Sequence, residues 1–414
     1  MNRRHVAVWA LYDFANSVYP AVVTATLFSI YFTTHIVGNE EGLGDLWWGR
    51  VISVSMLFVA LSSPPLGSLA DRVGIRKRMM VIYSLICVGS VALFTTIEPG
   101  MILWGAAIAV VANVGFEGAM VFYNAYLPEI APKDRQGFVS GIGFGTGYAG
   151  SAAGLLIALP LVTAGNFDAI WLMVAGFFLV FALPAFFFLP RDQRSKKSLL
   201  SAAVEGALGF RKLWGDVLSQ PAIRRFLLAF FIYIDGVNTT IYFAGIFAAT
   251  TLGFDQKEVI LLFLVVQGSA LVGSLALANP TDRWGPKRVI TLTLVVWTAV
   301  VGSIYFVESK EVFFVIAVVA GSMLGAIQAA SRAFMSQLIP AGKEAGMFGF
   351  YAFCGKSSSV VGPLVFGSIS HGLGGDQRTA ALSVAVFFLV GLLLLQRVRI
   401  QRPVEGVARD VRRT

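Results

Sequence analysis

Runs of about twenty apolar residues recur along this chain, and that recurrence limits the fold more than any motif does. A helix needs ~20 predominantly apolar residues to cross a bilayer. Backbone polar groups in hydrocarbon must satisfy one another, so spanning segments are helices or strands of a closed barrel. Here the runs fall near residues 8–36, 47–69, 79–97, 101–126, 138–163, 167–189, 224–251, 258–279, 289–307, 311–334, 346–371 and 377–396. The expectation is an all-α membrane protein with twelve transmembrane helices. Composition agrees, with 57% hydrophobic and 13% charged residues, against ~25% charged in a soluble domain.

The connections give the orientation. Loops leading from odd to even helices are acidic (Glu40, Glu41, Asp45, Glu98, Asp168, Glu308, Glu311), while those from even to odd helices are basic, as are both ends of the chain. Basic loops stay in the cytoplasm, so both termini are expected there, and the short loops point to a bacterial inner (plasma) membrane. The same rule accounts for the net charge of +9 without a nucleic-acid partner. "MNRR" followed by an apolar run imitates a secretory signal, but Asp13 and Asn16 interrupt it and no small-residue cleavage site follows. It reads as a retained first helix. Cys87 and Cys354 both stand in apolar runs and offer neither a disulfide framework nor metal spacing.

The chain repeats itself. "LADRVGIRKR" after the second run matches "NPTDRWGPKR" after the eighth, and "YNAYLPEIAPKDRQG" after the fourth matches "SRAFMSQLIPAGKEAG" after the tenth. Asp13-x-x-Asn16 in the first run matches Asp235-x-x-Asn238 in the seventh. Three anchors in one order imply two pseudo-symmetric six-helix bundles. The divisions are residues 1–190 for the N-terminal bundle, 191–222 for a cytoplasmic linker, 223–398 for the C-terminal bundle and 399–414 for a basic cytoplasmic tail.

Six plus six helices, a long middle loop and "GSLADRVGIRKR" between the second and third helices resemble the major facilitator superfamily of secondary transporters. Within it, "WALYDFANSVY", "FYNAYLPEI", "YIDGVNTTIY" and "CGKSSSVVGPLVFG" are similar to the vacuole-effluxer-like family, which includes the autophagy-related amino-acid effluxers. The resemblance implies the major facilitator fold, with helices 1, 4, 7 and 10 around a central cavity and helix 11 beside helix 7. It also implies alternating access and export of amino acids or similar small zwitterions.

Ionisable groups inside a span are expensive and therefore point to function. Four stand out: Asp13, Glu117, Asp235 and Lys356. At 1.5 Å per residue all four fall in the cytoplasmic half. Lys356 is expected to pair with Asp235; the alternative is two unpaired residues hydrated by a cavity. Asp13 or Glu117 is expected to carry a proton, or in the structural alternative to brace a helix. Glu117 lies on a polar stripe with Asn113 and Asn124 and has no counterpart in helix 10, where Gly325 takes its place. With Asn16, Asn238 and Gln328 these form the expected substrate-binding or ion-coupling set: Asp13, Asn16, Asn113, Glu117, Asn124, Asp235, Asn238, Gln328 and Lys356. Tyr12, Tyr19 and Tyr242 are further candidates for the cavity wall.

Gly67, Asp71 and Arg72 in the first loop copy, with Asp282 and Arg283 in the second, are expected to gate the cytoplasmic side. Gly67 is read as allowing a tight helix end. The resemblance to the superfamily implies a cytoplasmic latch here, in which the aspartate meets a helix N-terminus of the other half, which prefers anions, in one access state only; the alternative is that the basic residues merely anchor the topology. Ala278 replaces that glycine in the second copy, so that side is expected to be looser. "GTGYAG" at 145–150 fits a dinucleotide fingerprint, but no strand precedes it. Gly143, Gly147, Gly150 and Gly154 instead make a small-residue stripe for helix contact. Gly362-Pro363 is expected to kink helix 11.

His5, His35 and His371 stand at helix ends or in loops, and no catalytic triad, metal cluster or phosphate loop is evident. Neither an enzyme nor a cofactor or metal is expected. The expected partners are a small-molecule substrate, protons and the lipid bilayer, with the chain working as a monomer. The alternative function is proton-coupled export of amphipathic drugs or lipids.

Overall fold

A computed structural model describes residues 1–38, 43–192, 214–358, 365–366, 369 and 377–398, and among them the regular structure is helical throughout. The helices are α1 (Arg3–Val37), α2 (Leu43–Val73), α3 (Arg76–Thr96), α4 (Ile102–Asn124), α5 (Gln136–Thr163), α6 (Phe167–Phe188), α7 (Pro221–Thr250), α8 (Gln256–Ala276, continuing as Ala278–Trp284), α9 (Pro286–Ile304), α10 (Lys310–Leu338), α11 (Glu344–Ser358) and α12 (Gln377–Gln396). Eleven of these contain a stretch long and apolar enough to cross a membrane. The other is α11. Its expected continuation to residue 371, including Gly362-Pro363 and His371, lies largely outside the described residues, as do most of the linker and the whole tail.

Helix ends follow from local chemistry. The Asn2 side chain accepts from Arg4 N at the start of α1, and Ser309 does the same for Val312 N at the start of α10. Asp255 and Glu258 form a reciprocal capping box at the start of α8. In the two loop repeats the glycine of Asp-Arg-x-Gly, Gly74 or Gly285, takes a left-handed φ of 69° or 88°, a region favouring glycine. The tight turn is therefore made there and not at Gly67. α1 is irregular beyond Asn16: Pro20 leaves a π-helical turn, in which Ala25 N donates to Pro20 O.

Helices α1–α6 and α7–α12 form two bundles, which meet along two seams, α2 against α11 and α5 against α8. Glycines set how close the seams come. A Cβ on Gly67 would strike the backbone of Ala345 and Gly346, and one on Gly349 that of Ser63 and Pro64. At the second seam α5 supplies the space: Gly141 lies against Ala278 and Ser274. The expectation of a looser contact at Ala278 is thus corrected, because the glycine has moved to the facing helix. α5 has a second glycine face toward α1, where Gly147, Gly150 and Gly154 accommodate Ser17, Phe14 and Val18.

Candidate functional site

One face of the molecule carries the Asp-Arg-x-Gly turns and the basic residues around them, and there the bundles are joined. Asp71 on α2 accepts from Ala345 N (3.0 Å) and Gly346 N (2.9 Å), the first amides of α11. Asp282 on α8 accepts from Gly137 N (2.6 Å) and Phe138 N (2.8 Å), the first amides of α5. Each bundle thus places a carboxylate on a helix N-terminus of the other, where backbone donors and the helix dipole favour negative charge. Arg76 holds Asp71 at 2.7 Å and meets Glu344 across the seam, with Glu129 at 3.6 Å. Arg72 and Arg283 are exposed. The arginine at the contact of Asp71 with α11 is Arg76.

Above this closed face lies a cavity of about 550 Å³ between the bundles. Seven of the nine residues expected at the site line it: Asp13, Asn16, Glu117, Asn124, Asn238, Gln328 and Lys356. Asn113 does not. It donates to Ser55 Oγ at 2.7 Å and ties α4 to α2. Asp235 is buried and also lies off the cavity wall, so the aspartates of the repeat do not occupy equivalent places. Tyr12 is buried and hydrogen-bonded to Ser84, Tyr19 stacks on Phe116, and Tyr242 is exposed; none of the three lines the cavity. Asn16 donates to the Tyr12 carbonyl at 2.8 Å.

Lys356 corrects a second expectation. Its Nζ lies 2.5 Å from Glu117 Oε1 and pairs α11 with α4 instead of Asp235. The pair crosses between the bundles, with side chains 30% and 10% exposed. Aligning the repeats makes Tyr148 of α5 the counterpart of Lys356, and Tyr148 also reaches the other bundle, donating to Gln328 Oε1 at 2.7 Å. Where Glu117 has Gly325 as its counterpart, α10 uses the missing side chain to approach Ala270 of α8.

The residue that sequence reasoning missed is Arg332 of α10, 1% exposed. Its guanidinium reaches wholly into the N-terminal bundle. Nε donates to Ser140 Oγ (2.9 Å), Nη2 to Ser140 O (2.7 Å), and Nη1 to Asp13 Oδ2 (3.2 Å) and Asn124 Oδ1 (3.3 Å). It sits 4.0 Å from the Phe144 ring centroid and 4.7 Å from that of Trp9. Trp9 is itself fixed by stacking on Tyr123 and by donating to its carbonyl at 3.0 Å. Standing near the end of an apolar run, Arg332 imitates a topology anchor. Its signal was the repeat: "YNAY" aligns with "SRAF", making Arg332 the counterpart of Asn124, its own hydrogen-bond partner.

Thus the N-terminal bundle supplies two carboxylates, Asp13 and Glu117, and the C-terminal bundle supplies the two cations that meet them. These contacts run from the basic face up to the depth of Tyr148 and Lys356. Beyond it the cavity continues between apolar walls to Phe247 and Ile304, near the opposite ends of α7 and α9.

Comparison with known proteins places the geometry. The family model described as "Vacuole effluxer Atg22 like" matches residues 50–406. An uncharacterized MFS-type transporter, YxiO of Bacillus subtilis, is 29% identical over 399 residues, covering 94% of this chain and 93% of its own. Autophagy-related protein 22 of Kluyveromyces lactis is 23% identical over 391 residues, covering 84% and 79%. Among solved structures, the human organic anion transporter MFSD10 superposes with a TM-score of 0.80 at 16% identity, covering 95% of this chain and 99% of its own. The proton:xylose symporter XylE superposes with a TM-score of 0.76 at 14% identity, covering 96% of each.

Proposed function

The chain belongs to the vacuole effluxer Atg22-like family and is a secondary transporter of the major facilitator superfamily, and on that premise we propose that it moves small zwitterions, amino acids among them, by proton-coupled alternating access. The observation that carries this reading is the Glu117–Lys356 pair, which bridges the bundles in the cavity wall. A zwitterion brings an ammonium that suits Glu117 and a carboxylate that suits Lys356. Binding it exchanges one ion pair across the bundles for two ion pairs to the solute, so occupancy and separation of the bundles become linked. Proton coupling, in this reading, is assigned to the same Glu117, whose lysine is engaged elsewhere once the solute is bound.

In this reading the basic face is cytoplasmic, as the loop charges require, with both termini on that side of a bacterial plasma membrane. The structure then represents the state closed to the cytoplasm. Asp71 and Asp282 latch that state, and Gly67 and Gly141 allow the seams to meet. The transporting unit is the monomer. A second reading, proton-coupled export of amphipathic organic compounds, draws on the apolar reach of the cavity past Phe247 and Ile304.

The test is flux and current in proteoliposomes with a labelled amino-acid panel, at imposed pH gradients, for wild type and Glu117→Gln. Saturable amino-acid flux that steepens with the proton gradient, and loses that dependence in Glu117→Gln, supports the first reading. No flux of any amino acid, together with saturable transport of hydrophobic cations, would replace it with the second.

A further inference from the structure

The Arg332 side chain occupies a socket that belongs entirely to the other bundle. Asp13, Asn124 and Ser140 present it with four acceptors: a carboxylate oxygen, an amide oxygen, a hydroxyl and a carbonyl. While the bundles are closed, Ser140 Oγ donates its own proton to the Ala329 carbonyl of α10 (2.8 Å) and accepts from the guanidinium; once α10 has left, its lone pairs stay available to a donor. Trp9 and Phe144 supply ring faces, which attract cations through the ring quadrupole. Buried acceptors without donors are costly, and a buried carboxylate without a counter-charge more so. When the bundles part on the basic face, Arg332 is drawn away with α10, while Trp9, Asp13, Asn124, Ser140 and Phe144 remain together in the N-terminal bundle. What remains is specified for a compact cation with several N–H donors.

We propose that this socket is a binding site for an organic cation, a guanidinium or primary ammonium group, in the state whose basic face is open. Arg332 is then a tethered competitor for the site. It occupies the socket when the basic face is closed, and the solute cation occupies it when that face is open. Each form of occupancy favours its own state. The proposal rests on the alternating-access reading for its place in a transport cycle, but binding itself can be measured without transport.

The experiment uses methylguanidinium chloride and the full-length protein in detergent, with calorimetric titration and thermal unfolding. Arg332→Ala empties the socket. Arg332→Ala is expected to bind methylguanidinium saturably and to unfold at a higher temperature in its presence. Binding by wild type, and by Arg332→Ala with Asp13→Asn, is expected to be weaker by about tenfold or more. Arg332→Ala leaves a buried carboxylate unpaired, so a second variant guards against misfolding. Gly141→Leu keeps Arg332 but places bulk where α5 meets Ala278 and Ser274, wedging the basic face open. It too is expected to bind methylguanidinium in an Asp13-dependent manner. If neither variant shows saturable binding, or if Asp13→Asn leaves the affinity unchanged, the socket is not a cation site. A failed amino-acid flux assay beside positive binding here would discard the proposed substrate and keep the site.

Discussion

Replacing Lys356 by Met keeps most of its volume and removes its charge. Glu117 is then left with 10% of its side chain exposed and without its cation. Breaking a buried ion pair by removing one partner costs roughly 3–5 kcal/mol. Lys356 is 30% exposed, so hydration from the cavity relieves part of this and the low end applies, about 3 kcal/mol. Adding Glu117→Gln removes the orphaned charge. The double variant retains a cost of about 1 kcal/mol for the lost hydrogen bond, so the second substitution is expected to recover about 2 kcal/mol. Taking one six-helix bundle, on the order of 200 residues, as the cooperative unit, each kcal/mol moves the unfolding midpoint by about 2–4 °C. Lys356→Met is therefore expected to lower the midpoint by about 6–12 °C, and the double variant by about 2–4 °C. Thermal unfolding can be followed by a thiol-reactive dye, since Cys87 is buried and Cys354 half-buried as free thiols. A Lys356→Met midpoint restored by Asp235→Asn and not by Glu117→Gln would refute the pairing and return the lysine to the partner expected from sequence.

The glycines of α5 predict two different phenotypes. Gly150→Ala pushes a methyl into the Phe14 backbone within one bundle and should destabilise by about 1–3 kcal/mol, read as a lower unfolding midpoint. Gly67→Leu strikes Ala345 across the seam and should raise labelling of cysteines engineered on the basic face of the cavity; unchanged labelling would separate the seam from access. Asp282→Asn weakens the cap on α5 by about 0.3–1 kcal/mol and should shift labelling in the same direction, with a midpoint lower by no more than about 4 °C. At the opposite face, the hydrogen bond from Lys310 holds the Glu258 carboxyl below its ordinary range. A depressed carboxyl contributes stability above its unfolded-state pKa and loses it as pH falls through the folded one. Glu258→Gln should therefore lower stability at neutral pH and flatten the loss that wild type shows as pH falls through the carboxylate range, so that the two profiles converge in acid.

Helix existence, order and repeat were legible because hydrocarbon permits few alternatives: a run of the right length must be a helix, and duplicated loop motifs must lie at corresponding ends. Partner choice was not legible. Depth along a helix follows from residue count, and four ionisable groups shared one depth range. Azimuth does not follow so simply. Asn238 lines the cavity while Asp235, three positions earlier, is turned off its wall, although the equivalent Asp13 and Asn16 both line it. The irregular turns beyond Asn16 and the contacts of each bundle set those rotations, and they arise from tertiary packing. Asp71 and Asp282 could be placed because their loop motif resembles that of the superfamily, whose aspartate meets a helix start of the other half. Arg332 escaped because position alone gives a basic residue near a helix end an innocent explanation.

The separation of charge between the halves has a consequence for how the molecule is made. The first half to leave the ribosome carries Asp13 and Glu117 into the membrane well before their partners exist, for Arg332 and Lys356 lie 319 and 239 residues further along. Until then the nascent N-terminal bundle must keep its acids hydrated or protonated, or shelter them in the insertion machinery. The second half is inserted with the complementary deficit. Each is thus a conditional product, completed by meeting the other. Residues 1–190 synthesised alone should be cleared rapidly by membrane proteases, and supplying residues 191–414 as a separate chain should prolong their lifetime. That rescue should fail when the second chain carries Arg332→Ala and Lys356→Ala, which would make quality control an independent reader of the same two ion pairs.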